Sequence, residues 1–61
     1  MANAPQKILV VDDDVSILML LSDVLGENGY AVTTAPTGEE AIALIRKNTF
    51  DMIILDIMLK G

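Results

Sequence analysis

At 61 residues the chain holds one domain at most, because domains usually run to about 100–150 residues. Its 52% hydrophobic content is too high for a disordered segment, and the lack of cysteine and histidine excludes disulfides and zinc sites of the cysteine/histidine kind. Nine acids against four bases, a net charge of −5, argue against nucleic acid and anionic membrane surfaces, which both need a basic face.

Residues 1–6 read as a flexible arm ahead of a single folded unit, residues 7–61. The arm lacks the basic-then-apolar layout of a signal peptide. The longest unbroken apolar run, Ile17 to Leu21, falls far short of the roughly 20 residues that span a bilayer. A reducing, cytoplasmic setting is the expectation.

Lys7-Ile8-Leu9-Val10-Val11 is a short, nearly continuous apolar run rich in β-branched residues, which suits a strand buried on both faces. Three aspartates, Asp12, Asp13 and Asp14, follow at once. Ile17, Leu20, Leu21, Val24 and Leu25 then form a helical stripe, with Asp14 as its N-cap and Gly29, after Asn28, as a left-handed C-cap. Leu18 and Met19 lie beside that stripe and mark surface that needs a partner. Tyr30 to Ala35 is a second strand, polar enough to sit at an edge. Thr37 and Glu40 have capping-box spacing and open a second helix through Ala41, Ile42, Leu44 and Ile45, with Arg46 and Lys47 complementing the dipole of its last turn. Phe50 to Leu55 is a third strand, and Asp56 stands at its end.

The order β-α-β-α-β predicts an α/β fold with a parallel sheet. A polar second strand at the edge places the first strand centrally, in the order 2-1-3, with one helix on each face. Ligands of such sheets bind beyond the carboxyl ends of the strands, where the strand order reverses. Asp12 and Asp13 after the first strand and Asp56 after the third meet in that place. Converging carboxylates repel, so they need protonation, a basic partner or a cation. Oxygen donors alone suit a hard divalent ion, and Mg2+ suits few carboxylates and several waters. Asp14 reads mainly as a cap; Glu39 and Glu40 read as first-turn acids, and Asp23, Glu27 and Asp51 as solvated.

Ile8 through Asp14, Gly29 through Val32, Ala35 through Ala41, and Phe50 through Leu59 resemble, in this order and spacing, a response-regulator receiver domain of two-component signalling. The resemblance covers the chain from Lys7 onward and implies a flavodoxin-like, three-layer fold. It implies that Asp56 is a phosphoacceptor, taking a phosphoryl group from a phosphohistidine on a sensor histidine kinase or a histidine phosphotransfer protein. The protein would then be a signalling module and not an enzyme. Mg2+ would be held by Asp13 directly, by Asp12 with it, by Asp56, and by the backbone carbonyl of Met58.

A receiver has five strands and five helices, so the resemblance reads these residues as its N-terminal half, truncated after the phosphorylation-site strand. The hydroxyl residue and the lysine expected after the fourth and fifth strands fall outside them, and Lys60 stands where proline is common. The unpaired outer edge of the third strand predicts self-association, most simply as a two-fold homodimer without phosphotransfer. A remoter alternative is a haloacid-dehalogenase-type phosphatase fragment, because Asp12-Asp13-Asp14-Val15-Ser16 loosely fits that superfamily's nucleophile pattern.

Overall fold

A computed structural model describes residues 4–56. Three strands, β1 (Lys7–Val11), β2 (Ala31–Ala35) and β3 (Met52–Leu55), alternate with two helices, α1 (Val15–Glu27) and α2 (Gly38–Lys47). The sheet is parallel in the order β2-β1-β3, as the polar second strand implied. Register pairs Leu9 with Thr33 on one side and Ile53 on the other.

The central strand carries the core on both faces because its residues alternate. Leu9 and Val11 point toward α2 and pack with Ala35, Ala41, Leu44 and Phe50. Ile8 and Val10 point toward α1 and pack with Leu18, Leu21, Leu25, Val32 and Ile54. Enclosing each such side chain stabilises the fold by about 1.5–3 kcal/mol. This is the three-layer α/β arrangement read from the sequence.

Both helices begin where capping chemistry places them. The Asp14 carboxylate accepts the Ser16 N–H at 2.9 Å, and the Thr37 hydroxyl accepts the Glu40 N–H at 3.1 Å. The end of α1 is a Schellman turn: Gly29 has φ 90°, its N–H donates to the Gly26 carbonyl, and Tyr30 N–H donates to Leu25. Tyr30 therefore belongs to the helix exit, and the second strand starts one residue later than expected.

The phase of α1 differs from the sequence reading. Leu18, Leu21 and Leu25 face the sheet, whereas Ile17, Leu20 and Val24, one position earlier in each turn, are exposed. Leu18 is a core residue, and only Met19 of the expected surface pair is open, at 63% exposure. Both sets have the spacing i, i+3, i+7, so periodicity alone did not separate them. On α2, Ala41 and Leu44 pack inward while Ile42 and Ile45 are exposed.

Asp51 is also more than a solvated acid. Its carboxylate accepts the Lys7 N–H at 2.7 Å, and its own N–H donates to the Lys7 carbonyl at 2.8 Å. This double link fastens the start of β3 to the start of β1 and explains why the strand begins at Met52. Asp51→Ala is expected to lower the stability by about 1 kcal/mol, and Asp51→Asn by less because an acceptor remains. A shifted urea midpoint at unchanged slope checks this.

Candidate functional site

The strand ladders continue one residue beyond β1 and β3, and those residues are Asp12 and Asp56. Asp12 N–H donates to the Ala35 carbonyl at 3.2 Å, and Asp56 N–H donates to the Val11 carbonyl at 3.1 Å. Backbone pairing thus holds two carboxylates side by side at the carboxyl edge of the sheet. Asp13, the next residue after Asp12, is exposed above them. Carboxylate oxygens of Asp12, Asp13 and Asp56 all lie within 4.8 Å of one another. The structure brings together the three acids that the sequence singled out. Met58, the fourth expected ligand, lies outside the described residues.

The three acids have different surroundings. Asp12 is only 5% exposed and is the one enclosed charged side chain among the described residues. One of its oxygens accepts the Asp14 N–H at 2.9 Å. Asp56 is half-buried. Asp14 turns away to cap α1, where its carbonyl also accepts the N–H groups of Ile17 and Leu18. Glu39 and Glu40 stand in the first turn of α2, as their dipole reading placed them.

The Asp14 N–H pulls the Asp12 carboxyl downward, but desolvation, the Asp56 charge and hydrogen bond, and the Asp13 charge together outweigh it. The Asp12 carboxyl is therefore raised above its ordinary range. Between the ordinary value and the raised one, the folded chain holds more proton than the unfolded chain. Stability without divalent cation is then expected to fall as pH rises through that window and to level off above it. Urea midpoints across a pH series check the slope, which Asp12→Asn should flatten.

The donor set consists of oxygens from three carboxylates, and the chain has neither a cysteine thiol nor an imidazole to offer. It fits a hard divalent cation better than a softer transition metal. Of the described cations, Lys7 lies at the far end of β1 from this cluster, and Arg46 and Lys47 close α2. The burial of Asp12 and the role of Asp51 were not legible in the sequence. The only available signal for Asp12 was its direct attachment to a strand buried on both faces.

Comparison with known proteins agrees with this geometry. The family model for the response regulator receiver domain matches residues 8–61. A probable transcriptional regulator, ycf27, of Porphyra purpurea is 46% identical over 59 residues, 97% of this chain and 24% of its own length. The alkaline phosphatase synthesis transcriptional regulatory protein PhoP of Bacillus subtilis (strain 168) is 50% identical over 54 residues, 88% of this chain and 22% of its own.

Among solved structures, the chemotaxis response regulator CheY4 of Vibrio cholerae aligns with a TM-score of 0.87 at 44% identity, over 90% of this chain and 46% of that one. The response regulator protein TrrA from Thermotoga maritima, in complex with Mg2+ and BeF, aligns with a TM-score of 0.85 at 45% identity, over 92% of this chain and 49% of that one. The chain thus spans about a quarter of the length of the curated relatives it matches. The dehalogenase-type reading of Asp12 to Ser16 gains no support from these matches. With the sheet order, the acidic edge and a family match over nearly its whole length, the chain belongs to the response regulator receiver domains.

Proposed function

We propose that the chain is a phosphoacceptor module in which Asp56 takes a phosphoryl group while Asp12, Asp13 and Asp56 hold Mg2+. The observation that carries this reading is the convergence of the three carboxylates within 4.8 Å at the carboxyl edge of the 2-1-3 sheet. A bound Mg2+ supplies charge neutralisation to the phosphoryl oxygens. The likeness to TrrA, solved in complex with Mg2+ and BeF, supports the choice of cation. Met58 is proposed to add its backbone carbonyl.

Burial distinguishes the roles of the acids. Asp12 is enclosed and tied to the Asp14 N–H, which suits a ligand and blocks approach of a phosphodonor. Asp56 is half-buried at the end of β3, where its carboxylate oxygen can reach a donor phosphorus. In the transfer an Asp56 oxygen forms a bond to phosphorus, and the phosphorus–nitrogen bond of the donor phosphohistidine breaks. The electron pair leaves on the imidazole, and an acyl phosphate remains. The donor is proposed to be a sensor histidine kinase or a histidine phosphotransfer protein, and the chain is the recipient of the group, not a turnover enzyme. No described helix is long and apolar enough to cross a membrane, and a cytoplasmic setting is part of this proposal.

Acetyl phosphate with Mg2+ is expected to add the mass of one phosphoryl group, and a chelator should prevent the addition. No mass gain in a chain whose circular dichroism shows the fold intact defeats the reading.

A second reading, self-association as a two-fold homodimer, is favoured by β3. Its four residues, Met52 to Leu55, are apolar and carry no charge or proline of the kind that guards an edge strand. Among the described residues, nothing pairs with the outer side of β3. Sedimentation should then show dimer at high micromolar concentration, and a folded monomer there excludes it.

A further inference from the structure

Both helices end on an asparagine that closes its own last turn. The Asn28 side-chain amide donates to the Val24 carbonyl at 2.7 Å, and the Asn48 amide donates to the Leu44 carbonyl at 3.1 Å. The residues that follow set the two apart. Gly29 has no side chain to shield its backbone nitrogen, whereas Thr49 is β-branched. Asn28 and Gly29 are both exposed, so water reaches them.

The backbone nitrogen after an asparagine can close a five-membered ring on the side-chain carbon Cγ. Once hydroxide removes the Gly29 N–H proton, that nitrogen attacks Cγ of Asn28. The new bond completes a succinimide, the Cγ–Nδ2 bond breaks, and Nδ2 leaves as ammonia with a proton from water. Water then opens the ring at either carbonyl, giving aspartate or isoaspartate. The net change is one water gained and one ammonia lost. In the closed turn both reacting groups are tied to helix carbonyls: Nδ2 to Val24, and the Gly29 N–H to Gly26 at 3.1 Å. At an Asn28 ψ of 9° the Gly29 nitrogen eclipses the Asn28 nitrogen, whereas ring closure needs it to eclipse Cβ. The turn must open first, and Gly26 inside the last turn lowers the cost of opening.

We propose that Asn28 is a site of spontaneous deamidation gated by the last turn of α1, and that its conversion irreversibly loosens the exit from α1 to β2. The product carboxylate cannot donate to Val24. It also adds a negative charge beside Glu27, at a helix end with no basic residue in its last turn. The isoaspartate form lengthens the backbone by one methylene inside the turn that the Gly29 and Tyr30 N–H groups close. Asn48 is the internal contrast, because Arg46 and Lys47 offset a charge there and Thr49 hinders the ring.

Ageing the 61-residue chain in mildly alkaline buffer, followed by tryptic mapping, tests this. Cleavage after Lys7, Arg46 and Lys47 places Asn3, Asn28 and Asn48 on separate peptides. Aspartate and isoaspartate are expected together on the Asn28 peptide, formed about tenfold faster in denaturing urea than in the folded chain. Gly26→Ala, whose added Cβ meets nothing within 4 Å, should slow the folded reaction about two- to fivefold and leave the rate in urea unchanged. Asn28→Asp, which reproduces one product, should raise the ratio of unfolded to folded chain about fivefold.

Equal rates in the folded and denatured chain overturn the gate, as does a folded Gly26→Ala chain that converts as fast as its parent. Aspartate without isoaspartate indicates direct hydrolysis and overturns the ring route. Conversion of the Asn48 peptide ahead of the Asn28 peptide overturns the assignment of the site. An Asn28→Asp chain as stable as its parent overturns the loosening of the α1 exit.

Discussion

Leu9→Ala is expected to unfold the chain. Leu9 is fully enclosed at the centre of the middle strand, facing Val11, Ala35, Ala41, Leu44 and Phe50. Truncating a leucine in such a place costs about 2–5 kcal/mol through lost burial and the cavity left behind. A 61-residue domain has a total stability of roughly 3–9 kcal/mol at about 0.05–0.15 kcal/mol per residue. The loss is comparable to the whole. Far-UV circular dichroism should show a largely unfolded spectrum where the parent is folded. Leu20→Ala provides the contrast, because Leu20 is 58% exposed, and its urea midpoint should shift by no more than about 0.5 kcal/mol equivalent. If the two substitutions had equal effects, the assignment of the core faces would be wrong.

Asp56→Asn is expected to reduce phosphoryl incorporation from acetyl phosphate by at least about two orders of magnitude, because a carboxamide lacks the anionic oxygen needed to attack phosphorus. The substitution is close to isosteric and retains the backbone N–H that donates to Val11, so the ladder persists. Loss of label with a retained fold therefore reports on chemistry. Asp12→Asn provides a second contrast. It leaves the Asp56 acceptor in place and removes a proposed cation ligand, so labelling should slow without disappearing and should need more Mg2+. Label found on Asp12 in the Asp56→Asn chain would move the acceptor role to β1.

The sequence revealed the fold most clearly where two signals coincided. The first strand was legible because Ile8 to Val11 is an unbroken apolar run, rich in β-branched residues and ended by three acids. The caps at Asp14, Gly29 and Thr37 were legible because each has one dominant chemical reason to occupy its position. The acidic site was legible because strand order alone places Asp12 and Asp56 at neighbouring strand ends.

The inward face of α1 was not. Ile17, Leu18, Met19, Leu20 and Leu21 are all apolar, so a rotation of one residue leaves the pattern nearly unchanged. The Asp51 link was equally hidden, because a carboxylate before a strand looks the same whether it meets water or the backbone of residue 7. Which of the three acids is enclosed also depended on tertiary packing, because adjacent aspartates in an Asp-Asp-Asp run are chemically alike.

The central position of β1 bears on the order in which the chain is made. The most deeply buried strand is synthesised before either of its neighbours, the first beginning at Ala31 and the second at Met52. At translation rates of about 5–20 residues per second, roughly 2–9 seconds separate the synthesis of Ile8 from that of its β3 partner. During that interval Ile8 to Val11 can be covered by α1, β2 and α2. The β1-α1-β2-α2 unit is therefore the natural early intermediate, and the acidic site is completed only when β3 joins it. A nascent chain halted before Asp56 has its core strand and two of its acids, but not the third.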